Sequence, residues 1–298
     1  MSIAVLAQRA GQAAVVQLAQ LSPRLALAST AVAGYLGPAV PSDAVTLDEL
    51  RALLRHVPPG RLPAVRRAIY GRWERTKLFF MLLAHGELDR LRPCLQVHGF
   101  ERLHALAAAK APALLLNWHT GPYRAVGAAL YLHGFRPLVI EHHSIPHSAT
   151  VPLERVAAGG DPWRATAALK EAVDRLRSGG FVLLAGDAYE GAGGIEAAIL
   201  GRRFVFRQGL ATLVRHSGAA VLPIVASWSG GSIHVTLHPP LELPASGDAE
   251  SVVGVTARWF DGYLRAHPEE LWPDRMRELM AAPVVADGPA ALGTPHST

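Results

Sequence analysis

The chain has 298 residues, half of them hydrophobic, which is enough for one large α/β domain or two small ones. Its single cysteine, Cys94, rules out an intrachain disulfide and with it a disulfide-stapled secreted domain; we expect a buried structural thiol. The net charge of +5 and the pI of about 9.7 favour anionic partners, such as acidic carrier proteins, phospholipid surfaces or nucleic acid.

Residues 1–90 have helical patterns. Thr46 and Glu49 have the spacing of a capping box at the start of TLDELRALLRHV. Glutamines interrupt the apolar N-terminal stretch, which is untypical of a signal peptide. The best candidate for a membrane span, residues 25–40, has 16 residues and contains Pro38, whereas a bilayer requires roughly 20. We therefore predict a helical region packed on the core, with a helix lying on a membrane as the alternative.

From residue 91 onward, the pattern alternates between strands and helices. Strands are predicted over APALLLNWH, RPLVIEHH, FVLLAGD, AAVLPIVASW and SIHVTLHPPLEL. Helices are predicted over YRAVGAALYLHG, DPWRATAALKEAVDRLRSGG, GLATLVRHSG and the stretch AESVVGVTARWFDGYLRAHPEELW. This alternation predicts an α/β domain over residues 91–280, with a mainly parallel central sheet and helices on both faces. Residues 281–298, rich in Ala, Pro and Gly, are predicted to be a disordered tail.

Polar side chains end three of the predicted strands, namely Asn117 and His119, Glu141 and His142, and Asp187 and Glu190. Because ligands bind at the carboxyl ends of strands in such sheets, we expect these side chains to form one site. His119 is the candidate general base, since an imidazole titrates near neutral pH. The alternative is a histidine that is bonded only to the backbone and has no chemical role.

Three arginines, Arg202, Arg203 and Arg207, precede the predicted helix GLATLVRHSG. We predict that they contact an anionic group, because the backbone amides at the start of that helix would face the same anion. The alternative is a set of solvated loop arginines that bind nothing.

Three other chemistries are disfavoured by the sequence. The glycines after Asp187 match neither the dinucleotide fingerprint nor a P-loop, which argues against a nucleotide. The Gly-x-Ser-x-Gly motif of serine hydrolases does not occur. Pro146 prevents a helical pair of zinc ligands among the nearby histidines, so no metal is predicted.

Several of these segments, taken together, resemble a known family. HGFERLHALAAAKAPALLLNWHTGPYRAVGAALYLHGFRPLVI resembles the first block of the bacterial lipid A biosynthesis acyltransferases, a branch of the lysophospholipid acyltransferase superfamily. RLRSGGFVLLAGDAYEGAGG, ILGRRFVFRQGLATLVRHSGAAVLPIVAS and HPEELW are similar to its later blocks, so the resemblance covers about residues 95–272. It implies direct transfer of an acyl chain from a carrier-protein or coenzyme A thioester to a hydroxyl or amine, with His119 as the base, without an acyl-enzyme or a cofactor.

The chain departs from this family at one position. The family acid five positions after the histidine is replaced by Arg124, and no Asp or Glu occurs between Glu101 and Glu141. A guanidinium only donates hydrogen bonds, so it cannot orient His119 in the acid's place. Either another carboxylate from a neighbouring strand end (Asp187, Glu190 or Glu141) orients His119, or the histidine works unassisted, or the chemistry is lost. Arg124 would instead bind a carboxylate or phosphate of the substrate.

Asp187 is our first choice for the missing carboxylate, because it ends a strand expected to neighbour the His119 strand. Glu141 is the second choice, because it also ends a strand. The structural alternative for Asp187 is a bond to the backbone amides of the glycine-rich loop 191–194.

We predict an acyltransferase of a specialised pathway, such as natural-product assembly, because the departure at residue 124 argues against lipid A as the acceptor. Its partners would be an acyl-carrier-protein or acyl-coenzyme A donor and a small-molecule or lipid acceptor, but no nucleic acid. We expect a cytoplasmic location, with peripheral contact to the inner face of the membrane as the alternative. The competing function is a non-catalytic protein that binds an acyl chain or a carrier protein.

Overall fold

The computed structural model describes residues 22, 23, 27, 45–84, 88–141, 151–159, 162–187, 194–244 and 247–285. Within these ranges the helices are α1 (Leu47–Leu53), α2 (Leu62–Ala84), α3 (Leu88–Leu91), α4 (Phe100–Ala108), α5 (Arg124–Leu132), α6 (Pro162–Arg177), α7 (Gly209–Ser217), α8 (Ala249–Ala266) and α9 (Pro273–Ala281). The strands are β1 (Leu95–His98), β2 (Ala113–Asn117), β3 (Leu138–Glu141), β4 (Arg155–Ala157), β5 (Phe181–Ala185), β6 (Gly194–Ile199), β7 (Arg202–Arg207), β8 (Ala220–Ser229) and β9 (Ser232–Leu237).

The main sheet has seven strands in the order β1-β9-β8-β2-β5-β3-β4. Every neighbouring pair is parallel except β8 and β9, which run antiparallel. The predicted fold class, a mainly parallel sheet with helices, is therefore confirmed. Strands β6 and β7 form a separate antiparallel hairpin.

The two faces of the sheet carry two hydrophobic cores. Alternate residues of β2 point to opposite cores, and the strand is buried along its whole length. Its continuous apolar run is what a central strand covered on both faces requires. Helices α1, α6, α7, α8 and α9 pack in one core, whereas α4 and α5 pack in the other. Helix α2 contributes its first half to one core and its second half to the other.

The described part of the N-terminal helical region packs on these same cores. The predicted capping box is present, since the Thr46 side chain accepts from the Glu49 amide and the Glu49 carboxylate accepts from the Thr46 amide at 2.8 Å. Across the described ranges, none of the helices combines the length and hydrophobicity needed to cross a bilayer.

The first residues of the predicted tail make backbone contacts with the β6–β7 hairpin. The Arg203 amide donates to the Pro283 carbonyl at 2.9 Å, and the Val285 amide donates to the Gly201 carbonyl at 3.1 Å. Residues 286–298 lie outside the described residues, so the prediction of disorder there stays a prediction.

Candidate active site

The carboxyl ends of β2 and β5 lie side by side. The two strands pair in parallel, with Asn117 opposite Ala185, which confirms the expected neighbourhood. His119 follows β2 by two residues and Asp187 follows β5 by two residues. This register brings both side chains to the same point on the edge of the sheet.

His119 and Asp187 form a hydrogen-bonded pair. The imidazole Nδ1 lies 2.9 Å from Asp187 Oδ1, and the His119 amide donates to both carboxylate oxygens at 3.1 Å. An ionised carboxylate only accepts hydrogen bonds, so the ring proton is on Nδ1 and Nε2 of the neutral ring is left as the basic nitrogen. The His119 side chain is 26% exposed and that of Asp187 is 0% exposed. Solvent can therefore reach the His119 ring, whereas the Asp187 carboxylate that orients it is shielded from water.

Asp187 remains ionised despite its burial. Burial alone would raise its pKa, but the nearby His119 and Arg275, together with hydrogen bonds from His119, hold the pKa of this carboxyl below its ordinary value. The Arg275 contact joins Nη2 to Asp187 Oδ2 at 3.2 Å. Asp187 therefore accepts from His119 as a carboxylate rather than as a neutral acid.

The turn after His119 is fixed by the segment just before α9. Gly121 has φ +49°, and its amide donates to the Glu270 carbonyl at 2.9 Å. Its own carbonyl accepts from Trp272 Nε1 at 2.9 Å. A Cβ at this position would lie 2.5 Å from both the Ala226 carbonyl oxygen and Glu270 Oε2, so only glycine fits.

Glu270 is a second buried carboxyl group beside the same turn. Its Oε1 accepts from the Arg72 guanidinium and from the Trp228 amide, the latter at 3.3 Å. Oε2 has no hydrogen-bond partner among the described residues. Burial raises the pKa of Glu270 to about 7, against the opposing effect of Arg72.

Two half-buried aromatic side chains lie beside the imidazole, and two more pack against them. The Tyr123 ring meets His119 edge to face at 4.6 Å between centroids, and Trp272 lies 6.2 Å away. Phe80 is 5.2 Å from Tyr123, and Trp73 is 4.4 Å from Trp272. We call these four residues the aromatic wall. It presents an apolar surface next to the base, of the kind that contacts hydrocarbon and excludes water.

Arg124, the residue in the place of the family acid, begins α5 next to this wall. Its Cζ lies 4.7 Å from the Phe80 ring centroid, and its Nε donates to the Tyr123 hydroxyl at 3.2 Å. Within the described ranges Arg124 forms no ion pair with a carboxylate. The guanidinium is thus held beside the site by aromatic groups, with nitrogens left to donate.

Two other predicted residues are occupied by structural contacts. Asn117 is buried, with its Nδ2 donating to the Tyr123 carbonyl at 3.2 Å and its Oδ1 accepting from the Trp118 amide at 2.8 Å. Glu141 accepts from Arg155 Nε at 2.9 Å. Strand β5, not β3, is the neighbour of β2, so the strand order places Asp187 rather than Glu141 next to His119.

The three predicted anion-binding arginines lie on strand β7 and not in a loop. Alternation along the strand points Arg202 to the opposite face from Arg203 and Arg207. Arg202 donates to the Ala282 carbonyl at 3.3 Å, and half-exposed Arg203 pairs with Glu196 at 3.2 Å. The expected single cluster is therefore corrected, and what each arginine binds stays a prediction.

The remaining predicted residues, His142 and Glu190, lie outside the described residues. Of the residues that the structure describes, no three His, Cys, Asp or Glu side chains gather as metal ligands would. Sequence reasoning missed Trp272 and Arg275 as site residues. The only signal for Trp272 was the HPEELW block, and Arg275 lies three residues beyond it.

Comparison with known proteins identifies the family of the chain. A family model described as bacterial lipid A biosynthesis acyltransferase matches residues 75–272. The matched range begins inside α2 and includes β2, β5 and both members of the His119–Asp187 pair. No curated protein matches the chain.

Proposed function

We propose that this chain, which belongs to the bacterial lipid A biosynthesis acyltransferase family, uses His119 as a general base to transfer an acyl group from a carrier-protein or coenzyme A thioester to a hydroxyl or amine. Acyl transfer is the class of reaction that family membership supports. The donor, the acceptor and the base are our proposal. The observation that carries it is the 2.9 Å contact between His119 Nδ1 and Asp187 Oδ1.

In this mechanism Asp187 fixes the tautomer of His119. The acceptor gives its proton to Nε2 while its oxygen or nitrogen attacks the thioester carbonyl carbon. The tetrahedral intermediate collapses, the carbon–sulfur bond breaks, and the departing thiolate takes the proton from the imidazolium. No acyl-enzyme forms. Cys94, the chain's only thiol, is 0% exposed and has no access to a substrate.

We assign Asp187 the role that the family acid has at the position of Arg124. The acid has moved from the helix after the histidine to the end of the neighbouring strand. Arg124 is then available to bind a carboxylate or phosphate of the substrate, for which its planar fork is suited. Its contacts with Phe80 and Tyr123 support this role, since they orient the guanidinium without neutralising it.

The surroundings of the base support an acyl donor with an anionic carrier. The aromatic wall offers an apolar surface to the acyl chain, and the net charge of +5 suits a phosphopantetheine or an acidic carrier protein. Arg203 and Arg207, on one face of β7, are the arginines we propose for this contact. The substitution at residue 124 argues for a small-molecule or lipid acceptor of a specialised pathway instead of lipid A.

We propose a cytoplasmic location, with peripheral contact to the inner face of the membrane as the alternative. The basic charge of the chain supports attraction to an anionic lipid surface. Flotation with vesicles that contain or lack anionic lipid tests the alternative. Equal recovery with both vesicle types would argue against an electrostatic membrane contact.

The decisive experiment compares the wild-type protein with His119→Ala. Octanoyl-coenzyme A and octanoyl carrier protein serve as donors, and ethanolamine, which offers an amine and a hydroxyl, serves as the acceptor. Thiol release and product mass are measured. We expect turnover to fall by about 10²–10⁴ in the variant. A fully active His119→Ala protein would remove the base. A wild-type protein that binds the acyl chain without turnover would favour the non-catalytic binding function.

A further inference from the structure

Arg275, in the first turn of α9, contacts the carboxylate that orients His119. Its Nη2 lies 3.2 Å from Asp187 Oδ2, and its side chain is only 13% exposed. The same guanidinium pairs with Glu278, and its Cζ lies 5.7 Å from the centroid of the Phe204 ring. Arg275 is therefore held on several sides in one orientation, with one edge directed at Asp187.

The backbone contact between His119 and Asp187 does not by itself fix the rotation of the carboxylate group. The His119 amide is 3.1 Å from both oxygens and so holds neither of them more closely than the other. The imidazole Nδ1 contacts one oxygen, Oδ1, at 2.9 Å. Arg275 contacts the other oxygen, Oδ2, and the two contacts together fix the plane of the carboxylate relative to the ring.

We infer that Arg275 is a positioning residue of the acyl-transfer site, which fixes Asp187 as an oriented carboxylate and thereby fixes the tautomer and direction of His119. The inference rests on the proposed role of His119 as the base. Arg275 acts through Asp187 and is not itself the base.

The charge of Arg275 matters as much as its geometry. Asp187 is fully buried, and burial favours the neutral acid, which can donate a proton and would no longer enforce the Nδ1–H tautomer. In the described part of the chain, the charged groups that contact Asp187 are His119 and Arg275, and Glu278 is the acidic neighbour of Arg275. A permanent cation at Oδ2 favours the carboxylate at every pH at which the enzyme works.

The neighbouring arginine on the same helix provides a matched control. Arg277 pairs with Asp274 at 2.9 Å on the exposed side of α9, with 44% of its side chain accessible. The test compares Arg275→Met, Arg275→Lys and Arg277→Met in the octanoyl transfer assay. For Arg275→Met we expect kcat to fall by about 10- to 100-fold, as for a misplaced catalytic group, with a smaller change in KM. Arg275→Lys keeps the charge and should recover most of the rate, and Arg277→Met should match the wild type.

The pH profile separates positioning from a general loss of packing. Loss of a cation beside the His119–Asp187 pair makes the pair easier to protonate, so the acid limb of kcat/KM should move to higher pH in Arg275→Met. The limb should stay in place in Arg275→Lys and Arg277→Met. If Arg275→Met does not fold, Arg275→Gln replaces it, since it keeps a donor but lacks the charge and should show the same displacement.

A spectroscopic measurement makes the result independent of turnover. Nitrogen-15 NMR of histidine-labelled protein reports the tautomer of His119, assigned by the signals lost in His119→Ala. We expect the Nδ1–H form in the wild type and a mixture of forms in Arg275→Met. An unchanged tautomer together with an unchanged pH profile in that variant overturns the inference. If His119→Ala keeps full activity, the proposed base fails, whereas the tautomer measurement still decides whether Arg275 positions the ring.

Discussion

Asp187 and Glu270 are two buried carboxyl groups beside the turn at residues 119–121, and their surroundings shift their pKa values in opposite directions. Asp187 accepts hydrogen bonds from the ring and the amide of His119 and pairs with Arg275, and its pKa is lowered. Glu270 pairs with Arg72 through one oxygen, and its pKa is raised to about 7. Burial is nearly complete for both and raises the pKa of each. At Asp187 the charges and hydrogen bonds of His119 and Arg275 outweigh burial, whereas at Glu270 Arg72 does not, and the neighbouring Glu269 raises the pKa further.

The largest expected effect is on the rate of Asp187→Asn. The amide can present its NH₂ group to the ring and stabilise the wrong tautomer, so we expect turnover to fall by about 10²–10⁴. Glu141→Gln changes the other described acid at a strand end, which is bonded to Arg155, and should retain nearly full turnover. Rates are measured per folded molecule with thermal unfolding as a check. Equal losses in both variants would break the distinction between Asp187 and an ordinary acid of the sheet edge.

The next effect is on stability, at Gly121 in the turn beside Glu270. Gly121→Ala imposes a left-handed conformation on alanine and drives its Cβ into the Ala226 carbonyl oxygen and Glu270 Oε2. We expect a loss of about 2–5 kcal/mol in unfolding free energy from strain and overpacking together. Gly218→Ala is the control, because Gly218 also has a positive φ but a Cβ added there would have no neighbour within 4 Å. Similar denaturation midpoints for the two variants would show that Glu270 does not press on the turn.

The third effect is the pH dependence of stability, which should have opposite signs at the two carboxyl groups. The folded-state pKa of Glu270 lies above its ordinary value of 4.5, so its contribution is fully present below pH 4.5 and is lost as the pH rises through about 7. The folded-state pKa of Asp187 is depressed below 3.8, so its contribution is present above that pH and is lost on acidification.

Urea unfolding of the wild type, Glu270→Gln and Asp187→Asn between pH 3 and 8 separates these contributions. For Glu270, the wild-type minus variant difference should fall by at most about 3 kcal/mol between pH 4.5 and 7, at about 1.4 kcal/mol per pKa unit. For Asp187 the difference should rise with pH at the acidic end. Two slopes of the same sign would contradict the contrast drawn between the groups.

The smallest effect concerns the bond from Trp272 to the turn. Trp272→Phe keeps an aromatic ring in the wall but loses the Nε1 donor to the Gly121 carbonyl. We expect about 1 kcal/mol of lost stability and a modest loss of turnover. Trp163→Phe is the control, since Trp163 is 85% exposed and should tolerate the change. A Trp272→Phe protein as stable as the control would show that the bond from the Gly121 amide to the Glu270 carbonyl holds the turn without help from Trp272.

The sequence predicts the elements that have a clear local pattern, and it predicts the contact that follows from neighbouring strands running parallel. Each of the five predicted strands is present, and the contact between His119 and Asp187 follows from the convergence of parallel strand ends. Strands β1 and β4 were not predicted, because they have only four and three residues and lack the apolar run that marks the equally short β3. Strand β7 was not among the predicted strands, although its buried Phe204 and Phe206 alternate with Arg203, Val205 and Arg207.

The contacts between distant segments around His119 and Asp187 could not be predicted in the same way. Trp272 and Gly121 are 151 positions apart, and no local period links a helix start near the C-terminus to a turn after β2. The pairing of Glu141 with Arg155 could not be predicted either, because it depends on the order of strands in the sheet, which does not follow from local sequence patterns. These partners depend on tertiary packing, which local sequence patterns do not encode.

The separation of His119 and Asp187 by 68 positions has a consequence for how such chains are recognised. A search that requires an acid five positions after the histidine would class this chain as an inactive member of the family, because Arg124 occupies that position. A search on distances keeps it, since a carboxylate lies beside the imidazole all the same. Relatives that carry a basic residue at this position and an acid at the end of the adjoining strand deserve an assay before they are classed as inactive.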